Sequence, residues 1–190
     1  MYKAERTKSD MVNAVIELIE ETGSSNISIS QIAKKANVAV GLINYHYKSK
    51  QDLLVDAVKQ YIENSIREEN KSFLKKNVES KEMIVLSFQS YADFLARHGK
   101  ISKLYIKFCL EGYIKADSLK QAIEYYSPIL KSINSNLSDD KIMIILNMIS
   151  STIQLSFLEV DIIKENISFN FFEKKQRNKM IADMINLIQI

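Results

Sequence analysis

Residues 28–53, SISQIAKKANVAVGLINYHYKSKQDL, decide how this chain of 190 residues folds. They read as two short helices joined by a tight turn, followed at once by an aromatic and basic segment that opens a third. Ser28 is a capping residue, and Gln31 three positions later completes a capping box ahead of the apolar pair Ile32–Ala33. Ala33, Ala36 and Val38 are small enough for a second helix, running from about Val40 to Tyr45, to cross close to the first. Two short helices crossing steeply over small residues make a helix-turn-helix, whose second helix enters the major groove of DNA. The pattern implies a double-stranded DNA partner before any other chemistry is considered.

The spacing I-A-x-x-A-x-V-x-x-G-x-I-x-Y-H-Y-K-S-K-x-x-L is carried by Ile32, Ala33, Ala36, Val38, Gly41, Ile43, Tyr45, His46, Tyr47, Lys48, Ser49, Lys50 and Leu53. It resembles the DNA-binding signature of the TetR family of bacterial transcriptional regulators, and the match covers about the first quarter of the chain. The resemblance implies an all-α fold of about nine helices. Residues 1–50 then form a three-helix helix-turn-helix DNA-binding domain, and residues 51–190 a helical effector-binding and dimerisation domain. It implies a homodimer on a palindromic operator, a repressor released by a small, largely apolar effector. The last three quarters of the chain carry no motif of the family.

Composition agrees with a helical globular protein. The chain is 46% apolar and 26% charged, with four Gly and one Pro, so few breakers interrupt long helices. Its net charge is +3, of which residues 1–50 contribute +2 and residues 51–190 contribute +1. Global charge does not announce nucleic-acid binding; the local placement at 48–50 and at the N-terminus does. A lone cysteine, Cys109, excludes an internal disulfide framework and is compatible with a reducing cytoplasm. No secretory leader is read at the start, and Asn, Ser and Gln break the longest apolar runs, so no membrane span and no membrane partner are expected.

Apolar periodicity predicts further helices over about 5–22, 50–76, 81–97, 101–113, 117–135, 139–163 and 170–189. Gly23 ends the first of these, and Pro128 is expected to kink or interrupt the helix that contains it. Ser138 with Asp139 and Asp140 marks a helix start. The helix that follows carries Ile142, Ile145, Ile149 and Ile153 on one side and Ile144, Met148 and Leu155 on another. A helix apolar on two faces must be covered on both, which is met if the last two helices pack on the core and on a second subunit.

Candidate DNA-reading residues lie on the exposed face of the second helix of the pair: Ala39, Val40, Leu42 and Asn44, with Gly41 allowing close backbone approach. Asn44 suits an adenine edge, and the apolar residues suit a thymine methyl. The resemblance places Tyr45, Lys48 and Lys50 on flanking phosphates, with His46 a further phosphate contact and Ser28 opening an anion-binding helix end. Tyr47 is expected inside the small domain, and Lys3, Arg6 and Lys8 form either an N-terminal arm or a solvated tail. For an effector, the candidates are Phe88, Tyr91, Tyr105, Phe108, Cys109, Tyr126, Met148 and Gln154, apolar walls with a few hydroxyls and one amide. For each of these, ordinary helical core is the weightier reading, since an aromatic stripe at helical spacing is usually core.

No catalytic constellation is read, and no cofactor or metal is expected. Two histidines and one cysteine are too few for a zinc cluster, and no phosphate loop or nucleophile elbow occurs. His98 beside Asp93 or Glu111 is the one acid–base arrangement to consider, against a histidine that simply ends a helix. The alternatives to a ligand-responsive repressor are an activator or architectural regulator without effector, and a helical ligand-binding protein with an unused helix-turn-helix.

Overall fold

A computed structural model of the chain describes residues 2–74, 78–114 and 117–188, which form ten helices and, among the described residues, no strand. They are α1 (Tyr2–Thr22), α2 (Ile29–Lys35), α3 (Val40–His46), α4 (Lys50–Leu74), α5 (Ser80–Arg97), α6 (Gly99–Leu110), α7 (Asp117–Ile133), α8 (Asp139–Leu158), α9 (Val160–Ile167) and α10 (Lys174–Leu187). By contacts the chain divides into two compact units, Met1–Ser65 with Gly99–Lys115, and Ile66–His98 with Ala116–Ile190.

The first unit is larger than the expected 1–50 segment, because α6 packs on α1 and the first part of α4 joins the same core. Met11, Val15 and Ile19 of α1 are fully buried with Ile32 of α2, Ile43 of α3, Leu53 and Leu54 of α4 and Ile101 of α6. Each such side chain contributes about 1.5–3 kcal/mol on leaving water. At the end of α1, Gly23 adopts a φ of +68°, and Lys100 of α6 donates to the carbonyl of Glu20. Gly112, at φ +76°, stops α6 at Leu110, short of the expected 113, because the left-handed turn directs the Tyr113 N–H back to the Phe108 carbonyl at 2.9 Å.

In the second unit α5 packs against α7, α8 and α10. Phe94, Phe157 and Phe171 are fully buried there. Arg177 of α10 is 5% exposed; it donates through Nε to Asp93 at 3.0 Å and through Nη1 to the Phe171 carbonyl at 2.9 Å. Lys174 adds a second cation 3.1 Å from the same carboxylate. Burial opposes ionisation of Asp93, but Arg177 and Lys174 outweigh it and hold the carboxyl below the ordinary aspartate value.

One expectation is corrected here and two are refined. The segment 139–163 is not one helix: α8 ends at Leu158 and α9 begins at Val160, with Glu159 leaving helical geometry at ψ 27°. Glu159 is no helix breaker, so composition carried no sign of the break. Next, of the kink or interruption expected at Pro128 the interruption does not occur: α7 runs through it, the lost donor falling opposite the carbonyl of exposed Glu124. Finally, by length and composition alone α8 meets the measure of a membrane-crossing helix, which a core helix also meets, because its Asn, Ser and Gln residues interrupt runs without lowering the average. Its apolar residues divide between two faces: Ile142, Ile145, Ile149 and Ile153 are buried in the second unit, while Ile144, Met148 and Leu155 are exposed.

Candidate functional site

The helix-turn-helix is built by local hydrogen bonding. The Ser28 N–H donates to Gln31 Oε1 at 2.8 Å, and the Gln31 N–H donates to Ser28 Oγ at 3.2 Å, closing the capping box at the start of α2. Ser28 Oγ is therefore engaged within its own helix end. At the other end Asn37 enters the left-handed region at φ +54°, its N–H donating to Lys34 and that of Val38 to Ala33 at 2.9 Å. This paired closure satisfies the last carbonyls of α2 and turns the chain into α3. Asn37 is the residue missed from sequence; an asparagine just past a helix end was the available signal.

Helix α3 is held by one buried residue, Ile43. Ala39, its N-cap, and Val40, Gly41, Leu42, Asn44 and Tyr45 are all exposed, and His46 is half-buried. Tyr45 is 81% exposed, its ring edge-on to His46 with centroids 5.2 Å apart. A Cβ built at Gly41 meets nothing within 4 Å, so the glycine is not a spacer for a helix crossing. Lys48 is exposed and Lys50 half-buried, and neither has a charge partner among the described residues. Ser49 caps α4 by accepting from the Asp52 N–H at 3.0 Å.

The remaining cations of the N-terminal segment divide. Lys35 pairs with Glu17 at 3.1 Å and Glu21 at 2.7 Å, which raises its pKa. Lys8 is not part of a free arm: its Nζ lies 3.0 Å from Asp56 Oδ2 and 5.5 Å from the centre of the Tyr47 ring. Arg6 is exposed, and the side chain of Lys3 lies outside the described residues. Tyr47 is buried, as expected, and its hydroxyl donates to Asp56 at 2.8 Å. Burial, with Asp56 adding to it, pushes that phenol well above its ordinary value.

The eight effector candidates fall into three environments. Phe88, Tyr91, Tyr126 and Gln154 come together in the second unit: Phe88 stacks on Tyr126 with centroids 5.3 Å apart, and Gln154 Nε2 donates to the Tyr91 hydroxyl at 2.8 Å. Burial pushes the Tyr126 phenol far up, so it stays a neutral hydroxyl. Tyr105, Phe108 and Cys109 sit on α6 in the first unit, where burial raises the Cys109 thiol, Tyr105 opposing and Glu63 adding to the rise. Such a thiol is not a reactive thiolate. Met148 does not join either group, being 55% exposed on the outer face of α8. Its spacing to Ile144 and Leu155 places it on that stripe rather than on the buried one.

Two further features bear on chemistry. An open groove of about 510 Å³ runs along α10 beside the end of α9, lined by Ile167, Phe169, Met180, Met184 and Leu187 among others; the sequence reading did not find it. The acid–base arrangement around His98 is not assembled as considered, since Asp93 is taken by Arg177 and Lys174, and Glu111 lies 3.8 Å from Lys107. The His98 ring packs 4.7 Å from Phe94. Among the described residues no three His, Cys, Asp or Glu side chains form a metal-binding group.

Comparison with known proteins bears on the same surfaces. A family model described as bacterial regulatory proteins, tetR family, matches residues 11–57. Over 86 residues the chain is 32% identical to the fatty acid metabolism regulator protein of Bacillus subtilis; the match covers 45% of this chain and 44% of that one, less than half its length. The fold is similar to that of the transcriptional regulator FadR from Bacillus subtilis, solved in complex with stearoyl-CoA, with a TM-score of 0.60 and 20% identity over 95% of this chain and 96% of that one. It is similar as well to a TetR transcriptional regulator from Rhodococcus sp. RHA1, with a TM-score of 0.63 and 16% identity over 99% and 98% of the two chains. At these identities the structural likeness concerns the fold.

Proposed function

We propose, from the match of residues 11–57 to the tetR family model and from the fold shared with TetR regulators, that the chain is a homodimeric, ligand-responsive transcriptional repressor of that family working in the cytoplasm. Two copies of α3, about 34–36 Å apart, enter successive major grooves of a palindromic operator. Asn44 reads a base edge, Val40 and Leu42 contact thymine methyls, and Tyr45, His46, Lys48 and Lys50 contact phosphates. The observation that carries this reading is α3 itself. A seven-residue helix with only Ile43 buried, showing apolar Val40 and Leu42 beside Lys48 and Lys50, which have no acid partner among the described residues, is poorly matched to water and well matched to a groove. Lys34 extends the positive side of that surface, being exposed and without an acid partner among the described residues.

The dimer forms through α8 and α10. Ile144, Met148 and Leu155 supply the apolar stripe on α8, and the open groove along α10 receives the partner. The effector is largely apolar and binds beside Phe88, Tyr91, Tyr126 and Gln154, where aromatic walls surround two hydroxyls and one amide. The names found among similar proteins, a fatty acid metabolism regulator of Bacillus subtilis and a FadR structure from the same organism holding stearoyl-CoA, point to acyl chains, so long-chain acyl compounds are the first to test. Binding releases the operator.

Selection of bound duplexes from a random DNA pool, followed by salt titration on the enriched sequence, tests the proposal. A palindromic sequence is expected, with affinity falling on log–log axes by about 0.9 for each phosphate neutralised. Failure to enrich any sequence at low salt, with and without acyl compounds, overturns the reading.

A further inference from the structure

We propose that Asp56 is a positioning residue for DNA recognition, holding the end of the recognition helix through the Tyr47 hydroxyl. The proposal rests on the reading of α3 as the groove-entering helix. Asp56 stands two turns into α4, and its carboxylate gathers donors from three elements. Oδ1 accepts from Gln60 Nε2 at 2.8 Å, one turn further along α4. Oδ2 accepts from the Tyr47 hydroxyl at 2.8 Å and lies 3.0 Å from Lys8 Nζ of α1. Gln60 fixes the rotamer of the acid, and Lys8 lies over the ring whose hydroxyl the acid receives.

The anchoring matters because α3 has so few other holds. Ile43 is its one buried side chain, and the helix ends at Tyr47, whose N–H still donates to the Ile43 carbonyl at 2.9 Å. The path from α3 to α4 is then Tyr47, Lys48 and Ser49. A helix pinned at one point can pivot about it; a second fixed point at its C-terminal end removes that freedom. Phenylalanine fills the same volume as the Tyr47 ring, so packing alone does not call for the hydroxyl. A hydrogen bond to a charged acceptor is directional and stronger than one between neutral groups, which suits a part that sets an angle. Base readout needs that angle, because hydrogen bonds to base edges weaken steeply with misalignment, whereas phosphate attraction tolerates it.

The full-length Tyr47→Phe and Asp56→Ala variants and the double variant test this, with affinity measured on the selected operator and on a random duplex at the same salt. The ratio of the two affinities is expected to fall about tenfold in each single variant, about 1.4 kcal/mol, while affinity for random duplex stays within about twofold. The double variant loses no further discrimination. Hydrogen exchange on the DNA-free protein provides a readout independent of the operator: α3 amides exchange faster in Tyr47→Phe than in the parent, with those of the buried part of α1 unchanged. Faster exchange in α3 without any operator discrimination by the parent protein supports the anchor and fails the DNA reading. Unchanged α3 exchange and an unchanged affinity ratio overturn the anchor alone, as does an equal loss on both duplexes.

Discussion

Gly41→Ala separates what the fold requires of α3 from what a DNA partner requires. Gly41 lies in the first turn of α3 with no positive φ, and a Cβ there meets nothing within 4 Å. Folding therefore gains from the substitution: alanine is favoured over glycine by about 0.5–1 kcal/mol inside a helix, and about half of that is reasonable in a first turn. For a chain of this size 1 kcal/mol moves Tm by about 2–4 °C, so a rise of about 0.5–2 °C is expected. On DNA the sign reverses. If the backbone at residue 41 approaches the groove, an added methyl pushes α3 outward and loosens the base contacts, each worth about 1–3 kcal/mol of discrimination. Operator affinity should then fall about 10- to 100-fold. Thermal melting and fluorescence anisotropy on a labelled operator duplex read the two effects separately. A variant that melts higher and binds its operator unchanged would refute close approach at Gly41, and with it the reason given for a glycine in an unobstructed helix.

Three other substitutions report on different parts of the molecule. Asn44→Ala should lose discrimination at one base pair per half-site, whereas Lys50→Ala should weaken all sequences alike and reduce the salt slope by about one per subunit; equal effects on operator and random DNA for both would contradict the roles assigned. Met148→Glu places a charge on the exposed stripe of α8 and should turn dimer into monomer in sedimentation velocity while the far-ultraviolet spectrum stays helical, and a persistent dimer would move the interface elsewhere. Asp93→Ala strands buried Arg177 and should cost about 2–4 kcal/mol, somewhat below the figure for a fully buried pair because Asp93 stays 20% exposed. The same acid sets a pH dependence: its carboxyl is held below the ordinary aspartate value of about 3.9, so its contribution is complete above that value and is lost as pH falls through the lower folded value. The Tm difference between parent and Asp93→Ala should shrink below about pH 4 and stay constant above about pH 5; a difference that grows in acid would contradict the pairing.

What the sequence revealed depended on the range of the interaction. The capping box at Ser28–Gln31 and the cap at Ser138 were legible because donor and acceptor lie three residues apart. The two apolar faces of α8 were legible because helical periodicity records them whether or not a partner is present. Partners distant in sequence were not legible. Lys8 read as a loose basic arm, yet it is tied to Asp56, 48 residues on, and no local pattern distinguishes a lysine that meets phosphate from one that meets a carboxylate. Arg177 likewise meets Asp93 from 84 residues away. Met148 was grouped with an interior for its apolar character alone, although its spacing from Ile144 and Leu155 already placed it on the outer stripe.

The division of the chain into units also changes how an effector can act. The backbone passes from one unit to the other three times: within α4 after Ser65, between α5 and α6, and again after Lys115. A ligand alters operator affinity only by favouring one state of the DNA-binding unit over another. Phe88, Tyr91, Tyr126 and Gln154 belong to the second unit, so a molecule bound there must bias the first through those crossings. Of the three, the one entering α6 is tied most directly to the helix-turn-helix scaffold, because Lys100, second residue of α6, donates to the Glu20 carbonyl at the end of α1, and α1 packs on α2. Lys100→Met removes that donor while keeping its apolar stem. Operator affinity of the ligand-free protein should change little, since Lys100 lies outside the DNA-reading set, whereas the loss of affinity on adding an acyl effector should shrink. Because coupling between two binding sites is reciprocal, the penalty that operator DNA imposes on effector binding must shrink by the same factor. A variant whose effector response equals that of the parent would assign the signal to the other two crossings instead.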